Sequence, residues 1–520
     1  MKKTSLLLCL PLFFAACKKN NSQTEAIDTN SKTVALDTGF TSNHLYNLNV
    51  VYFVPTDNPA KPEYERRLSD IMLSAQTYYG NQMKANGYGF KTFGLLTNPG
   101  KTRIKIVTIS AKYTYDKYTT DHLSDILAEV EAYFTAHPGE KTGEHNLIIS
   151  PSIPSGVGNP YVGYGRNCFW PDRGEEVTST TGLGGLMHEL GHGLNLPHNR
   201  QRESRINDPN YGTSLMGSGN GTYGRTPTFL TEADCAILNT NQIFQTTTSI
   251  TYYGAVTAKI KRMYASYSAA KGAIIASGRF TSSVPVTDIA YYLDPNQNNE
   301  GVGVNKDYNA VTWSTKVIGT DSFYVELPMT EMNNTYKANN PAELKVKLVH
   351  ENGKVTNTTF NFNFLNNIPV INIAPSGFDK SEWTVIDFSS QETVTESKPA
   401  SSMIDDDVNT FWFAKYSSPA GVLPHYVTID LSRSTTADGF TILLRSGAYR
   451  AVKDVEILTS SDHQTWTSAG NYVVPKVDIE SKIPFGSSKT FRYFKIMVKS
   501  NYDTVEPNKS CIAELGLYKN

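Results

Sequence analysis

Residues 187–200 read Met187-His-Glu-Leu-Gly-His-Gly-Leu-Asn-Leu-Pro-His-Asn-Arg200. On a helix, His188 and His192 stand four residues apart, so both imidazoles leave one face and can meet a single ion at ~2.0–2.1 Å. Glu189 projects beside them. Being one residue on, it cannot easily share that ion, but it can reach a water bound to it, which is the place for a general base. The chain has 10 histidines, and a third, His198, falls in the same short run. That clustering argues against incidental histidines on one helix and its exit.

Working outward, Leu48-Asn-Val-Val-Tyr-Phe-Val54 is a strand by its β-branched and aromatic content. Residues 63–85 carry Leu68, Ile71, Met72, Ala75, Tyr79 and Met83 at helical spacing, and residues 121–134 repeat the pattern with Leu123, Ile126, Leu127 and Val130. Strands at 103–109 and 146–150 alternate with these helices, and the histidines lie on a further helix over 179–194. Strand and helix in alternation predict an α/β domain with a largely parallel sheet, spanning 41–248. After residue 245 the texture becomes Tyr, Thr and Val alternation with turn-rich loops. Regular short strands there predict an immunoglobulin-like β-sandwich over 265–366, in which no chemistry is evident. A second all-β segment runs over 372–520. The expected fold class is thus multidomain, an α/β catalytic domain followed by two all-β sandwiches.

At 520 residues the chain exceeds what one core holds, which agrees with several domains. With 48 Lys+Arg against 49 Asp+Glu the net charge is −1, so no global field favours nucleic acid or an anionic membrane. The start, Met1-Lys-Lys-Thr-Ser followed by a short apolar run and Ala15-Ala16-Cys17, reads as a secretion signal over 1–16. The apolar stretch is shorter than the ~20 residues that span a bilayer. Phe14-Ala-Ala-Cys17 resembles a bacterial lipobox, which implies diacylation of Cys17, a tether over 17–40 and a place at the outer membrane or cell surface. Of 5 cysteines, Cys168, Cys235 and Cys511 remain for the folded chain, and a Cys168–Cys235 disulfide stays open.

The run His188-Glu-x-x-His192-x-x-Asn195-x-x-His198 resembles the metzincin zinc peptidases, whose third ligand lies ten residues after the first. The resemblance implies His188, His192 and His198 as Zn²⁺ ligands, with Glu203 and Glu232 as the competing third ligands. Metzincins usually carry Gly where Asn195 stands. That position must end the helix and turn the chain back, which calls for positive φ; after glycine, asparagine tolerates it best, and Pro197 helps forbid continuation. The resemblance also implies a methionine turn beneath the ligands, matched by Met216 in Tyr211-Gly-Thr-Ser-Leu-Met216. Some metzincins place a tyrosine two residues further on; Ser218 stands here, so no catalytic tyrosine is assigned.

At the C-terminus, Asp405-Asp-Asp-Val-Asn-Thr-Phe-Trp412, Val455-Glu-Ile-Leu-Thr-Ser-Ser-Asp462, Arg492-Tyr-Phe-Lys-Ile496 and Ala513-Glu-Leu-Gly-Leu-Tyr518 occur in the order of the discoidin, or coagulation factor type C, domain. This resemblance, which extends to the family 32 carbohydrate-binding modules, implies a β-sandwich with a structural Ca²⁺ held by Asp405, Asp407, Thr410 and Glu514. Asp406 stands where the family has Gly and threatens strain in that turn. Arg445, Tyr449 and Arg450 are the loop candidates for glycan contact.

Together these readings describe an exported, lipid-anchored zinc endopeptidase directed to a glycosylated, mucin-like protein by its C-terminal module, with the membrane touched only through the anchor. The competing readings are a glycan-binding adhesin with an inactive peptidase domain, and a zinc hydrolase acting on non-peptide bonds. Intact ligands and an intact Glu189 favour the enzyme.

Overall fold

The computed structural model describes residues 39–519, apart from 153–159, 207, 248–249, 296–306, 339, 374–376, 408 and 478. The signal, Cys17 and most of the tether therefore lie outside the described residues.

The first domain is built on β1 (Asn49–Val54), α1 (Tyr64–Ala85), β2 (Val107–Ser110), α2 (Leu123–Ala136), β3 (Asn146–Pro151), β4 (Val162–Tyr164), β5 (Asn167–Asp172) and α3 (Thr180–Gly193). The sheet order is β2-β1-β3-β5-β4, with parallel pairing throughout except for the antiparallel edge strand β4. Because strand side chains alternate, β1 sends Val50 and Tyr52 to one face and Val51 and Phe53 to the other. Leu68, Ile71, Met72, Ala75, Tyr79 and Met83 of α1 share the first face with Leu183, Leu186, Met187 and Leu190 of α3. Ile126, Val130 and Phe134 of α2, one helical turn apart, cover the second. Each such fully buried side chain contributes about 1.5–3 kcal/mol, so two covered faces stabilise the sheet that carries α3.

An ion pair crosses this core. Both terminal nitrogens of the Arg67 guanidinium donate to Asp172, each at 2.9 Å, and Tyr52 donates its phenol to the same carboxylate at 2.8 Å. Both charged side chains are almost wholly buried. The pair fastens α1 to the end of β5, immediately before the loop that leads into α3.

Beyond α3 come α4 (Glu203–Ile206), β6 (Thr213–Ser214), β7 (Thr228–Phe229) and α5 (Glu232–Thr240), the last opened by a capping box between Thr231 and Asp234. The second domain has two antiparallel sheets. One comprises β8 (Ala258–Ser268), β9 (Ala273–Ser282), β12 (Ser322–Pro328) and β16 (Asn372–Ile373). The other comprises β10 (Val286–Pro295), β11 (Val311–Lys316), β13 (Pro341–His350), β14 (Val355–Leu365) and β15 (Ile368–Val370). Ile274, Ala276 and Val325 from the first sheet pack with Ile289, Tyr291, Leu344 and Val346 from the second, making a sandwich that begins before residue 265 and ends after 366.

Sequence reading finds no chemistry in this sandwich, but the structure gives it a part in the core of the first domain. Ala290, Tyr292, Ala310 and Val349 leave its outer face to join the core of the first domain with Leu230, Ala233 and Ile237. Tyr88 of the first domain also donates its phenol to Asp288 at 2.9 Å. The shared core makes the two domains one packed body.

The third domain is a further all-β unit. Its main sheet runs β17 (Thr384–Phe388), β19 (His425–Leu443), β22 (Ser481–Val498), β20 (Asp454–Ser460) and β21 (Thr467–Val473), with β24 (Glu514–Tyr518) also paired to β19. A small sheet joins β18 (Trp412–Phe413) to β23 (Cys511–Ile512). Trp383 and Trp412 are core residues here.

Removing one partner from a buried pair leaves the other charge uncompensated, so Asp172→Ala should cost about 3–5 kcal/mol. Glu131→Ala, which removes the more exposed pair with Lys141, should cost about 0–1 kcal/mol. Thermal melts of both variants check this; equal shifts would show that the Arg67–Asp172 pair carries no special weight.

Candidate metal centre

Two histidines leave α3 in neighbouring turns. The His188 Nδ1–H donates to the Leu215 carbonyl at 2.7 Å and the His192 Nδ1–H to the Leu196 carbonyl at 2.7 Å. Both carbonyls can only accept, so each ring turns an unprotonated Nε2 inward. The Nε2 atoms of His188 and His192 lie 3.1 Å apart, and those of His192 and His198 lie 2.9 Å apart. Burial lowers the pKa of His188, and burial together with His188 lowers His192 to about 4, so both imidazoles are neutral near pH 7. Neutral lone pairs facing one another at this separation repel unless a cation lies among them. A tetrahedral ion ~2.0–2.1 Å from each nitrogen sets such nitrogens about 3.3 Å apart, so the donor set fits zinc.

The third histidine reaches this point because α3 stops within a turn. Asn195 has φ 71°, in the left-handed region. Its N–H donates to the His192 carbonyl at 2.9 Å, and the Leu196 N–H reaches back to Gly191 at 3.0 Å, the paired bonds of a Schellman stop. The segment after His198 is then pinned: Asn199 is fully buried and donates to Asp234 at 2.7 Å, while the Ser214 hydroxyl donates to Asn199.

Met216 lies against the underside of α3, fully buried; a Cβ on Gly191 would come within 2.3 Å of its sulfur. On the opposite side β4 approaches so closely that a Cβ on Gly163 would meet the Glu189 carbonyl at 2.2 Å and the His192 Cβ at 2.3 Å. This approach lets the Gly163 N–H donate to Glu189 Oε2. Burial raises the pKa of Glu189, and the Gly163 N–H opposes the rise.

Two features escaped the sequence. His145, to which no role attaches on spacing, is fully buried and donates Nδ1–H to the Gly193 carbonyl at 2.7 Å, at the end of α3. Its Nε2 accepts from Tyr253, whose oxygen accepts from the Gln242 N–H. The other feature is Tyr308 of the second domain, whose ring stacks on His198 with centroids 3.6 Å apart and planes 22° apart.

Other expected groups lie elsewhere. Glu232 pairs with Arg202 and Arg205, and Glu203 accepts from Asn333, so both alternative third ligands are engaged outside the histidine cluster. Cys168 and Cys235 are both free and buried, in place of the disulfide that spacing left open.

Of the expected calcium set, Thr410 joins Asp405 and Asp407, its hydroxyl lying against the Asp405 carboxylate and, at 3.0 Å, the Asp407 carbonyl. Asp405 accepts from Thr410 at 2.7 Å, Asp407 accepts from Lys259 at 3.0 Å, and Glu514 instead contacts the Lys380 ammonium, which also pairs with Asp406 at 2.9 Å. A lysine thus supplies positive charge between two acids of the loop and the terminal strand. Asp406 has φ 57°, the conformation glycine usually supplies. Of the loop candidates, Arg450 is held by Asp503 and Glu506, Arg445 stacks on Phe411 and Tyr449, and Tyr449 is exposed.

Fold and site define a multidomain protein with a helix-borne three-histidine centre and a C-terminal β-sandwich module. Residues 381–514 match the F5/8 type C domain. Wild-type OgpA from Akkermansia muciniphila is 32% identical with a TM-score of 0.56, over 62% of this chain and 94% of OgpA. A catalytically inactive OgpA, solved with an O-glycopeptide (glycodrosocin) substrate, matches equally well. The chain therefore belongs to the same family as OgpA. Among curated relatives, a sialidase of Micromonospora viridifaciens is 28% identical over 127 residues, and a lacto-N-biosidase of Bifidobacterium bifidum 30% over 100 residues. The chain spans only 19% and 9% of their lengths.

The His145 network has a pH signature. An unfolded histidine titrates near 6.5, whereas burial lowers His145 to about 4. Between those values the unfolded chain binds the extra proton, so the stability His145 contributes is complete above pH 6.5 and is lost as pH falls towards 4. In chelator-treated protein, His145→Gln should flatten the dependence of Tm on pH across that range; an unchanged slope would remove His145 as its source.

Proposed function

We propose that this protein is a zinc endopeptidase that cleaves O-glycosylated polypeptides, with its F5/8 type C domain binding glycan on the same class of substrate. The convergence of His188, His192 and His198 beside Glu189 carries this reading: their ligating atoms all lie within 4.8 Å of one another. Kinship with OgpA supports the substrate class, since OgpA was solved with an O-glycopeptide as substrate. The C-terminal module supports targeting, because a separate domain that holds glycan raises the local concentration of peptide bonds at the first domain.

A zinc ion bound by the three imidazoles supplies Lewis acidity towards the scissile carbonyl and a lowered pKa for the attacking water. The remaining work belongs to the chain. Glu189 accepts the proton of that water at a carboxylate oxygen and delivers it to the leaving amine nitrogen, so no covalent acyl-enzyme forms. The Gly163 N–H, donating to Oε2, holds the carboxylate in place between these transfers. Neutral His188 and His192 keep their lone pairs for the ion because their protons are committed to the Leu215 and Leu196 carbonyls.

The test compares wild type with Glu189→Gln on glycosylated and enzymatically deglycosylated forms of one substrate. Wild type should cut the glycosylated form, and Glu189→Gln should bind zinc as wild type does while losing at least about 10²–10⁴-fold in kcat. Undiminished cleavage by the variant would sink the mechanism. Cleavage of neither form by zinc-loaded wild type would leave a glycan-binding protein in its place.

A further inference from the structure

His188 and His192 are oriented by carbonyls of the first domain, but the ring of His198 lies against an aromatic side chain from the second. Tyr308 stacks on it face to face, and the chain that follows this contact is tied across the same boundary. The Arg200 N–H donates to the Ala310 carbonyl at 2.7 Å, and Arg200 forms a parallel bridge with Val311. The Arg202 guanidinium donates twice to the Thr312 carbonyl and lies over the Trp313 ring, while that of Arg200 lies over Tyr336. Residues 198–202 thus run along the 308–313 edge of the second domain.

On this geometry, and resting on the metal-centre reading above, we propose that the second domain is part of the metal centre, with Tyr308 as the positioning residue of His198. The physical reason is charge. An imidazole that donates its lone pair to a divalent cation becomes electron-poor, and the face of a phenol ring is electron-rich, so the stack is stronger in the metal-bound state than in the metal-free one. An interaction that favours the bound state raises metal affinity, and the fixed ring plane also sets the direction of the His198 lone pair. The sandwich is therefore a working part of the site.

The test uses the full chain and zinc itself. Zinc dissociation constants are measured by competition with a chromophoric chelator for wild type, Tyr308→Phe, Tyr308→Leu and Tyr308→Ala, and the visible spectrum of the cobalt-substituted form is recorded for each. Tyr308→Phe keeps the aromatic face and should retain wild-type affinity and spectrum. Tyr308→Leu and Tyr308→Ala should bind zinc about 10–100-fold more weakly, with a shifted cobalt spectrum. Tyr336→Ala is the control, since Tyr336 touches Arg200 on the same boundary; it should leave both readouts unchanged. Wild-type affinity in Tyr308→Leu and Tyr308→Ala would overturn the inference, as would an equal loss in Tyr336→Ala, which would indicate general loosening between the domains. Failure of wild type to bind zinc would overturn the metal-centre reading itself, a separate result.

Discussion

The site depends on how α3 ends. A helix can present His188 and His192 on one face, but a third imidazole six residues on joins them only if the chain reverses within a turn of the second. Asn195, at φ 71°, makes that reversal. The carbonyls near the helix end are then satisfied in different ways: His192 and Gly191 by backbone N–H groups of the turn, Gly193 by the His145 imidazole, and Leu196, just beyond, by His192 itself. The hydrogen bonds that close the helix are therefore the ones that orient the donors. A substitution at the stop would alter both together.

Rigid surroundings keep this geometry. Both faces of the parallel sheet are covered, the Arg67–Asp172 pair locks the approach to α3, and Met216 fills the space beneath Gly191. The close approach of β4 from the other side is possible because Gly163 lacks a Cβ. The second domain shares the core of the first, whereas the third meets the second through charged groups such as Lys259 with Asp407 and Arg262 with the Phe378 carbonyl. An apolar shared core resists relative motion, while a polar contact of this kind is the usual meeting of separable domains. The three-histidine centre and the F5/8 type C module thus sit on units joined with different stiffness.

Much of this was legible in the chain because it is local. The β-branched and aromatic run at residues 48–54 reports a strand, and helical spacing at 63–85 reports one apolar stripe, since each pattern is set by the geometry of a single element. The four-residue step between His188 and His192 places both on one face by the same logic, and the need for a left-handed residue at 195 follows from steric limits on the backbone. The acidic loop at 405–407 shows the limit of such reasoning. Its composition suits a hard cation, but that composition does not show that Lys380 and Lys259, distant in sequence, sit against those acids.

By itself, then, the amino-acid sequence determined the elements and the run of three imidazoles beside a carboxylate, because each rests on geometry within a few residues. Only the tertiary structure decided that His145 donates to the Gly193 carbonyl at the end of α3, that Cys168 and Cys235 stay free, that Arg450 is held by Asp503 and Glu506, and that Tyr308 lies on His198. Each of those pairs groups far apart along the chain, and sequence spacing carries no information about distance once a chain has folded back across two domains.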